Sequence, residues 1–346
     1  MIYLDYTANT PADPDVLDAY LAAERRYIAN PNSTHIAGQE ARAEMERVTQ
    51  SIAQHLGVQP AEIIYTSGAS EANNLALKGI AHASRHIGKH IISTQLEHSS
   101  VGASLSALQQ QGYEIDLLDI GRDGRVDLDQ LRELMRDDTI LVAVCAVDSE
   151  LGTIQPIREI AGIVKPYPGC RLHVDATQAV GKTDLWLDGV DTMSFTAHKF
   201  YGPNGIGALY KRRGLVIEPQ ISGGASTTIY RSGTPTLGLA VSLDAALTKA
   251  LAGQDADVLG EGGTPLFAAL LTAADKLGMQ YVATAHRARV ETGADGVHTV
   301  CPPAGTGSDD STILAALPQE TLARLILPLG DFAPEDVAEM AEDFKV

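Results

Sequence analysis

Between about residue 13 and residue 215, short apolar runs alternate with stretches of helical period, and this alternation restricts the fold more than any other feature of the sequence. EIIYT (62–66), HIISTQ (90–95), EIDLLD (114–119), ILVAVCAV (140–147) and RLHVD (171–175) are short and β-rich. Ala41, Met45, Val48, Ile52 and Leu56 recur every three or four residues and stop at Gly57, which predicts a helix. Further helices are expected from Glu71 to about Ala83 and near 100–110, 127–136 and 156–166. Continuous apolar strands alternating with helices predict a mostly parallel sheet covered on both faces. Ligands of such sheets sit beyond the carboxyl ends of the strands. Past Arg212 the texture changes: Gly and Pro become frequent, SLDAALTKALA (242–252) is helical and GQDADVLGEGG (253–263) reads as a boundary. The last segment is less regular and ends in the acidic helical pattern PEDVAEMAEDF (334–344). A chain of 346 residues therefore divides into a large α/β domain over 13–252 and a small α+β domain formed by 1–12 and 253–346.

Charge and cysteine usage narrow the classes of function. Lys and Arg number 26 against 44 Asp and Glu, a formal charge of −18. Neutralising phosphates needs a basic face, so neither nucleic acid nor an anionic membrane surface is the expected partner. Cys145, Cys170 and Cys301 are too few and too scattered for a disulfide framework or a structural zinc site, and no metal is expected. An odd count suits a reducing compartment and leaves room for one reactive thiol. MIYLDYTANT carries Asp5 and no basic or apolar leader, and no run nears eighteen apolar residues. The expected location is the cytoplasm.

Three segments carry chemistry. The strand–turn–helix TSGAS (66–70) offers helix N-terminal amides and the hydroxyls of Thr66, Ser67 and Ser70 as an anion cradle. In HVDATQ (173–178), Asp175 closes an apolar strand, where its carboxylate either enters the ligand crevice or caps a helix. In SFTAHKFYGPNGIGALY (194–210), Lys199 follows a strand-like run and His198 in a neighbourhood that is neither amphipathic nor charge-rich. Burial there would lower its pKa and make its amine a nucleophile toward carbonyls. A Schiff-base lysine, a carboxylate for a pyridinium nitrogen and a phosphate cradle together describe pyridoxal 5′-phosphate binding.

With LDYTANTP (4–11), NPNSTH (30–35), IIYTSGASEANNLALKG (63–79), EHSSV (97–101), HVDATQAVGK (173–182) and RSGTP (231–235) in this order, the chain resembles the class V, fold-type I pyridoxal-phosphate enzymes, and among them the cysteine desulfurases. The resemblance implies a large domain with a mostly parallel seven-stranded sheet flanked by helices. It implies Lys199 as the cofactor-binding lysine, Asp175 beside the pyridine nitrogen, His98 stacked on the ring and Gln178 on the phenolic oxygen. Ala69, Ser70, Thr196 and His198 would hold the phosphate, and Thr234 would reach the phosphate of a neighbouring subunit, making a homodimer. The implied reaction converts L-cysteine to L-alanine and leaves sulfur as a protein persulfide for an acceptor protein, as in iron–sulfur cluster assembly.

The pattern departs from the family in two places. Ser149 stands where an asparagine contacts the phenolic oxygen. The C-terminal stretch from Ser311 resembles the family's ending, yet aligning Gly307-Ser308 with the usual nucleophile loop puts Asp310 at the cysteine position. A two-residue insertion makes Cys301 the candidate nucleophile instead. The substrate-carboxylate arginine aligns with Ile326, leaving Arg324, two residues and roughly 7 Å away on the same strand face, as its candidate. These departures leave room for other class V chemistry, a β-lyase or an aminotransferase, and for a homologue lacking the usual nucleophile.

Overall fold

The computed structural model describes residues 5–224, 228–255, 264–276, 278–284, 286–305, 309–333 and 336. They form two compact units, Met1–Ala252 and Gly253–Val346. Among the described residues, no helix is long and apolar enough to cross a membrane. Gly307, Ser308 and, except for Asp336, the acidic pattern 334–344 lie outside the described residues.

The first unit opens with helices α1 (Pro14–Arg26) and α2 (Ile36–Leu56), followed by β1 (Ile63–Thr66), α3 (Ala69–Ser84), β2 (His90–Thr94), α4 (Ser99–Gln109) and β3 (Glu114–Leu118). It continues through α5 (Leu128–Leu134), β4 (Thr139–Cys145), α6 (Ile157–Val164), β5 (Arg171–Asp175), β6 (Thr192–Thr196), β7 (Gly207–Lys211) and α7 (Leu237–Asp255). Local chemistry sets the helix ends. Asp13 accepts from the backbone N–H groups of Asp15 and Val16 with Pro14 at the first helical position of α1, and Gly57 closes α2 at φ 68°.

The seven strands lie in the order β1-β7-β6-β5-β4-β2-β3. Only β7 runs antiparallel to its neighbours, β1 and β6. The mostly parallel sheet expected from the sequence is thus present. The alternation of runs did not single out β7, because GALYK begins with small residues of low strand propensity and is held by partners on both edges.

Both faces of the sheet are covered, which explains why β4 is buried along its whole length. Val142 and Val144 join Leu172, Val174 and Phe195 against Met45, Val48 and Ile52 of α2. Leu141 and Ala143 point the other way, into a layer with Leu75, Ile80, Val101 and Leu108 of α3 and α4. Each large aliphatic side chain buried in these layers contributes about 1.5–3 kcal/mol relative to exposure.

Residues 5–12, grouped with the small domain on sequence grounds, fall in the first unit and, with Asp13, bond to it. Thr10 N–H donates to the His198 carbonyl (3.0 Å), Tyr201 N–H donates to Thr10 Oγ1 (2.7 Å) and Asp13 N–H donates to the Tyr201 carbonyl (2.8 Å). A segment with no regular structure of its own finds its backbone partners in the β6–β7 connection.

The second unit contains α8 (Thr264–Lys276), β8 (Val282–Ala283), β9 (Arg289–Thr292), β10 (His298–Cys301), α9 (Ser311–Leu314), α10 (Gln319–Leu322) and β11 (Leu325–Ile326). Antiparallel β9–β10 and parallel β8–β11 form two small sheets. Phe267, Ala288, Leu314, Leu317, Leu322, Leu325 and Leu327 make its core.

Candidate active site

A cavity of about 730 Å³ opens beyond the carboxyl ends of β1, β4, β5 and β6. This is the position that a parallel sheet offers to ligands, and the volume is ordinary for a small-molecule site. Ala69, Ser70, His98, Ser149, Asp175, Gln178, Thr196, His198 and Lys199 all line it.

Lys199 is delivered by the 3-10 turn Ala197–Lys199 directly after β6. Tyr201 then takes φ 64°, a left-handed conformation unusual for a non-glycine residue, and its N–H is held by Thr10 Oγ1. Lys199 Nζ donates to the carbonyls of Thr7 (2.8 Å) and Ala8 (2.7 Å). Burial pushes its pKa below the ordinary lysine value, with Asp5 and Asp175 opposing. Nearby, Lys182 Nζ donates to Gln178 Oε1 (2.6 Å), and Gln178 Nε2 donates to the Thr7 carbonyl (3.1 Å). Burial and the charge of Lys199 lower the Lys182 ammonium as well.

Asp175, at the end of β5, is buried. Oδ1 accepts from Thr177 N–H (3.0 Å) and Oδ2 from the fully buried Asn73 Nδ2 (2.7 Å). His98 caps α4: Ser100 N–H donates to its Nδ1 (3.1 Å), and Ser100 Oγ lies 2.8 Å from the same nitrogen.

The anion end is built where α3 begins. Gly68 takes φ 155° and supplies no side-chain cap to the helix, so the first-turn amides face the cavity without a capping oxygen from their own N-cap. Gly207 packs against this turn: a Cβ there would stand 2.7 Å from Gly68 Cα and 2.6 Å from the Phe195 carbonyl oxygen. Thr196 Oγ1 donates to the Ile206 carbonyl (2.9 Å) and lies 3.1 Å from His198 Nδ1. Burial and Lys199 lower the His198 pKa. Glu71 is pushed up by burial, but the Arg231 guanidinium at 2.8 Å and Ser67 N–H overcome this and hold it below the ordinary value. That pair ties the segment bearing Thr234 to α3; Thr234 itself is exposed and does not line this cavity.

The other two expected residues belong to the second unit. Cys301 ends β10, half-buried, its Sγ 4.0 Å from the Thr299 carbonyl oxygen. The Arg324 guanidinium donates to the carbonyls of Gln280 (2.9 Å) and Met279 (3.1 Å) and pairs with Asp275 at 2.8 Å. Asp310 accepts from Arg287 N–H (2.7 Å).

Sequence reasoning passed over Asp5, Thr7, Ala8, Cys145 and Thr177 as lining residues. It also passed over Glu97, whose Oε1 accepts from Cys145 N–H (2.7 Å) and Thr94 Oγ1 (2.9 Å) while Oε2 is buried without a partner. Burial, then the neighbouring Asp175, pushes Glu97 up to about 8. Burial, reinforced by Glu97, Asp175 and Asp148, holds the Cys145 thiol well above its ordinary value, so it is a poor thiolate. The motif EHSSV contained the signal for Glu97, since it sets a carboxylate next to His98 shortly after the end of β2.

This donor set fits pyridoxal 5′-phosphate. The uncapped α3 turn and the Thr196 and Ser70 hydroxyls suit a phosphate, a buried carboxylate suits a pyridinium, and Lys199 suits a carbonyl. Thr177 Oγ1, buried on the cavity lining with no partner, is a polar atom that a bound group can satisfy.

Comparison with known proteins agrees. Residues 2–257 match the aminotransferase class-V family model, whereas residues 266–346 match the tRNA methyl transferase HUP domain model. The stretch from Ser311, expected to resemble a desulfurase ending, thus falls within a different family's span, as do Cys301 and Arg324. The chain is 40% identical over 259 residues to the cysteine desulfurase IscS of Dictyoglomus turgidum, covering 74% of this chain and 66% of that one. It is 44% identical over 253 residues to the cysteine desulfurase of Homo sapiens, covering 71% and 54%. These curated relatives are therefore matched over about half to two thirds of their length. Among solved structures, a NifS-like protein superposes with TM-score 0.74 at 33% identity, covering 86% of this chain and 81% of that one. SspA in complex with cysteine superposes with TM-score 0.70 at 27% identity, covering 96% and 100%. With three quarters of its length accounted for by one model and the lysine, carboxylate and anion cradle in one cavity, the chain belongs to the aminotransferase class-V family.

Proposed function

We propose that this chain is a pyridoxal-phosphate-dependent cysteine desulfurase, with residues 13–252 as its cofactor-binding domain. The observation that carries the reading is the single cavity that unites Lys199, Asp175, His98 and Gln178 with the uncapped turn at Gly68. The cysteine desulfurases among its relatives, and the cysteine-bound structure that it resembles, favour L-cysteine as substrate.

When bound, the cofactor supplies an electron sink for negative charge at the substrate Cα. Asp175 would hold a proton on the pyridine nitrogen, and Gln178 would donate to the phenolic oxygen. His98 would cover the ring. Ala69 through its amide, Ser70, Thr196 and His198 would anchor the phosphate, and Ser149 would reach the ring's oxygen edge. Lys199, kept below the ordinary lysine pKa by burial, holds and moves the Cα proton through Nζ. Arg324 is assigned to the substrate carboxylate and Cys301 to the attacking thiol, the latter favoured over Cys145 because burial among carboxylates keeps the Cys145 thiol protonated. A second copy of the chain would supply Thr234, and the three free cysteines suit the cytoplasm.

The purified protein is expected to be yellow, to shift its visible band on addition of L-cysteine, and to yield alanine and a persulfide. Borohydride should leave a pyridoxyl group on Lys199. In Cys301→Ala the persulfide should vanish; its retention there, with loss in Cys145→Ala, would move the role to Cys145. The family boundary near residue 257 favours one second reading, a β-lyase, which predicts pyruvate and ammonia in place of alanine.

The tRNA methyl transferase HUP match of residues 266–346 further supports an acceptor that works in tRNA modification. With twelve acidic and five basic residues in that stretch, the acceptor would be a protein rather than RNA held here. Labelled sulfur from cysteine should then reach tRNA only when an acceptor protein is added.

A further inference from the structure

Asn73 stands in the motif SGASEANN, one turn into α3, and has no part in the site described above beyond its bond to Asp175. It is completely buried, yet its carboxamide uses every hydrogen-bonding position. Nδ2 donates to Asp175 Oδ2 (2.7 Å) and to Ser100 Oγ (2.9 Å). Oδ1 accepts from Ser194 Oγ (2.5 Å) and from His173 Nε2 (3.0 Å). His173 Nδ1 lies 2.9 Å from Thr192 Oγ1.

The direction of these bonds follows from their ends. An ionised carboxylate only accepts, so the NH2 group must face Asp175 and the oxygen must face Ser194 and His173. Ser100 Oγ, accepting from Asn73, directs its own proton to His98 Nδ1, which already accepts from Ser100 N–H. The His98 proton therefore sits on Nε2. One amide thus touches both the residue assigned to the ring nitrogen and, through Ser100, the residue assigned to the ring face. With Thr177 N–H on Oδ1 and Asn73 on Oδ2, Asp175 is gripped at both oxygens and cannot turn about its χ2.

We propose that Asn73 is a positioning residue that fixes the orientation of the Asp175 carboxylate and thereby sets the protonation of the pyridine nitrogen of the bound cofactor. This rests on reading the cavity as a pyridoxal-phosphate site. The arrangement separates two halves of the amide: its NH2 serves the cofactor, whereas its oxygen serves the packing of β5 and β6 against α3.

The test uses the full chain reconstituted with pyridoxal 5′-phosphate labelled with ¹⁵N in the ring. Two readouts are followed, the cofactor dissociation constant and the ring-nitrogen resonance, which reports the protonated share. Asn73→Ala and the isosteric Asn73→Asp should each weaken cofactor binding about ten- to a hundredfold and move the resonance toward the unprotonated position. Ser194→Ala, which removes only a donor to the amide oxygen, should lower the melting temperature and leave both cofactor readouts within twofold of wild type. Wild-type readouts in either Asn73 variant that folds, or an equal loss in Ser194→Ala, overturn the proposal. Failure of the wild-type chain to bind the cofactor sinks the reading of the cavity instead, and is told apart because no variant is needed to see it.

Discussion

At the scale of the residue, Glu97 shows how much the environment changes a carboxyl group. In the fold it keeps its proton to about pH 8, whereas the unfolded chain releases it near 4.5. Between those values the folded state binds the extra proton, so the stability Glu97 contributes at low pH is lost as pH rises through this window. Glu97→Gln, neutral throughout, should match wild type in melting temperature near pH 5 and exceed it by a few degrees near pH 8. A difference that does not grow with pH would rule out this titration. Lys199 is the opposite case, an amine whose ammonium form burial disfavours. Lys199→Ala should bind the cofactor reversibly, leave no borohydride-stable adduct, and lower turnover by about 10²–10⁴-fold, the usual worth of a positioned acid–base group. Lys199 and Asp175 were legible because each closes an apolar run at the end where ligands bind. Asn73 and Glu97 stood in quoted motifs without a role, since their partners come from strands as many as 121 residues away.

At the scale of the element, the anion cradle depends on how β7 meets the start of α3. Gly207 lets the two backbones approach, and an alanine there would press on Gly68 and on the Phe195 carbonyl. Gly207→Ala should destabilise the protein by about 1–3 kcal/mol. It should also weaken phosphate-dependent cofactor binding, seen as poorer discrimination of pyridoxal 5′-phosphate from pyridoxal in a binding titration. Unchanged discrimination would mean that the turn tolerates the shift. Strands with long aliphatic runs, such as β4, were readable from composition alone. β7 was not, because GALYK opens on two small residues of low strand propensity and lacks a continuous run of large aliphatic side chains.

At the scale of the whole molecule, the expected homodimer makes a quantitative prediction. Lys199→Ala and Thr234→Ala chains, each inactive alone, should regain about a quarter of wild-type activity when unfolded together and refolded, because half of the dimers are mixed and hold one intact site of two. No recovery would place Thr234 outside the neighbouring site. The aminotransferase class-V match ends at residue 257 and the tRNA methyl transferase HUP match begins at residue 266, close to the boundary after Ala252 that separates the compact units, so the opening strand–helix alternation and the less regular ending match different family models. The sequence by itself determined the sheet, because continuous apolar runs can be buried only between two layers of helices, and it determined the lysine and carboxylate at the strand ends. Tertiary structure alone decided what surrounds them: the strap from Thr7 to Asp13 over Lys199, the Asn73 amide under Asp175, and the protonated Glu97 beside Cys145. Those relations depend on burial and on the distance between atoms far apart in the chain, and local sequence pattern encodes neither.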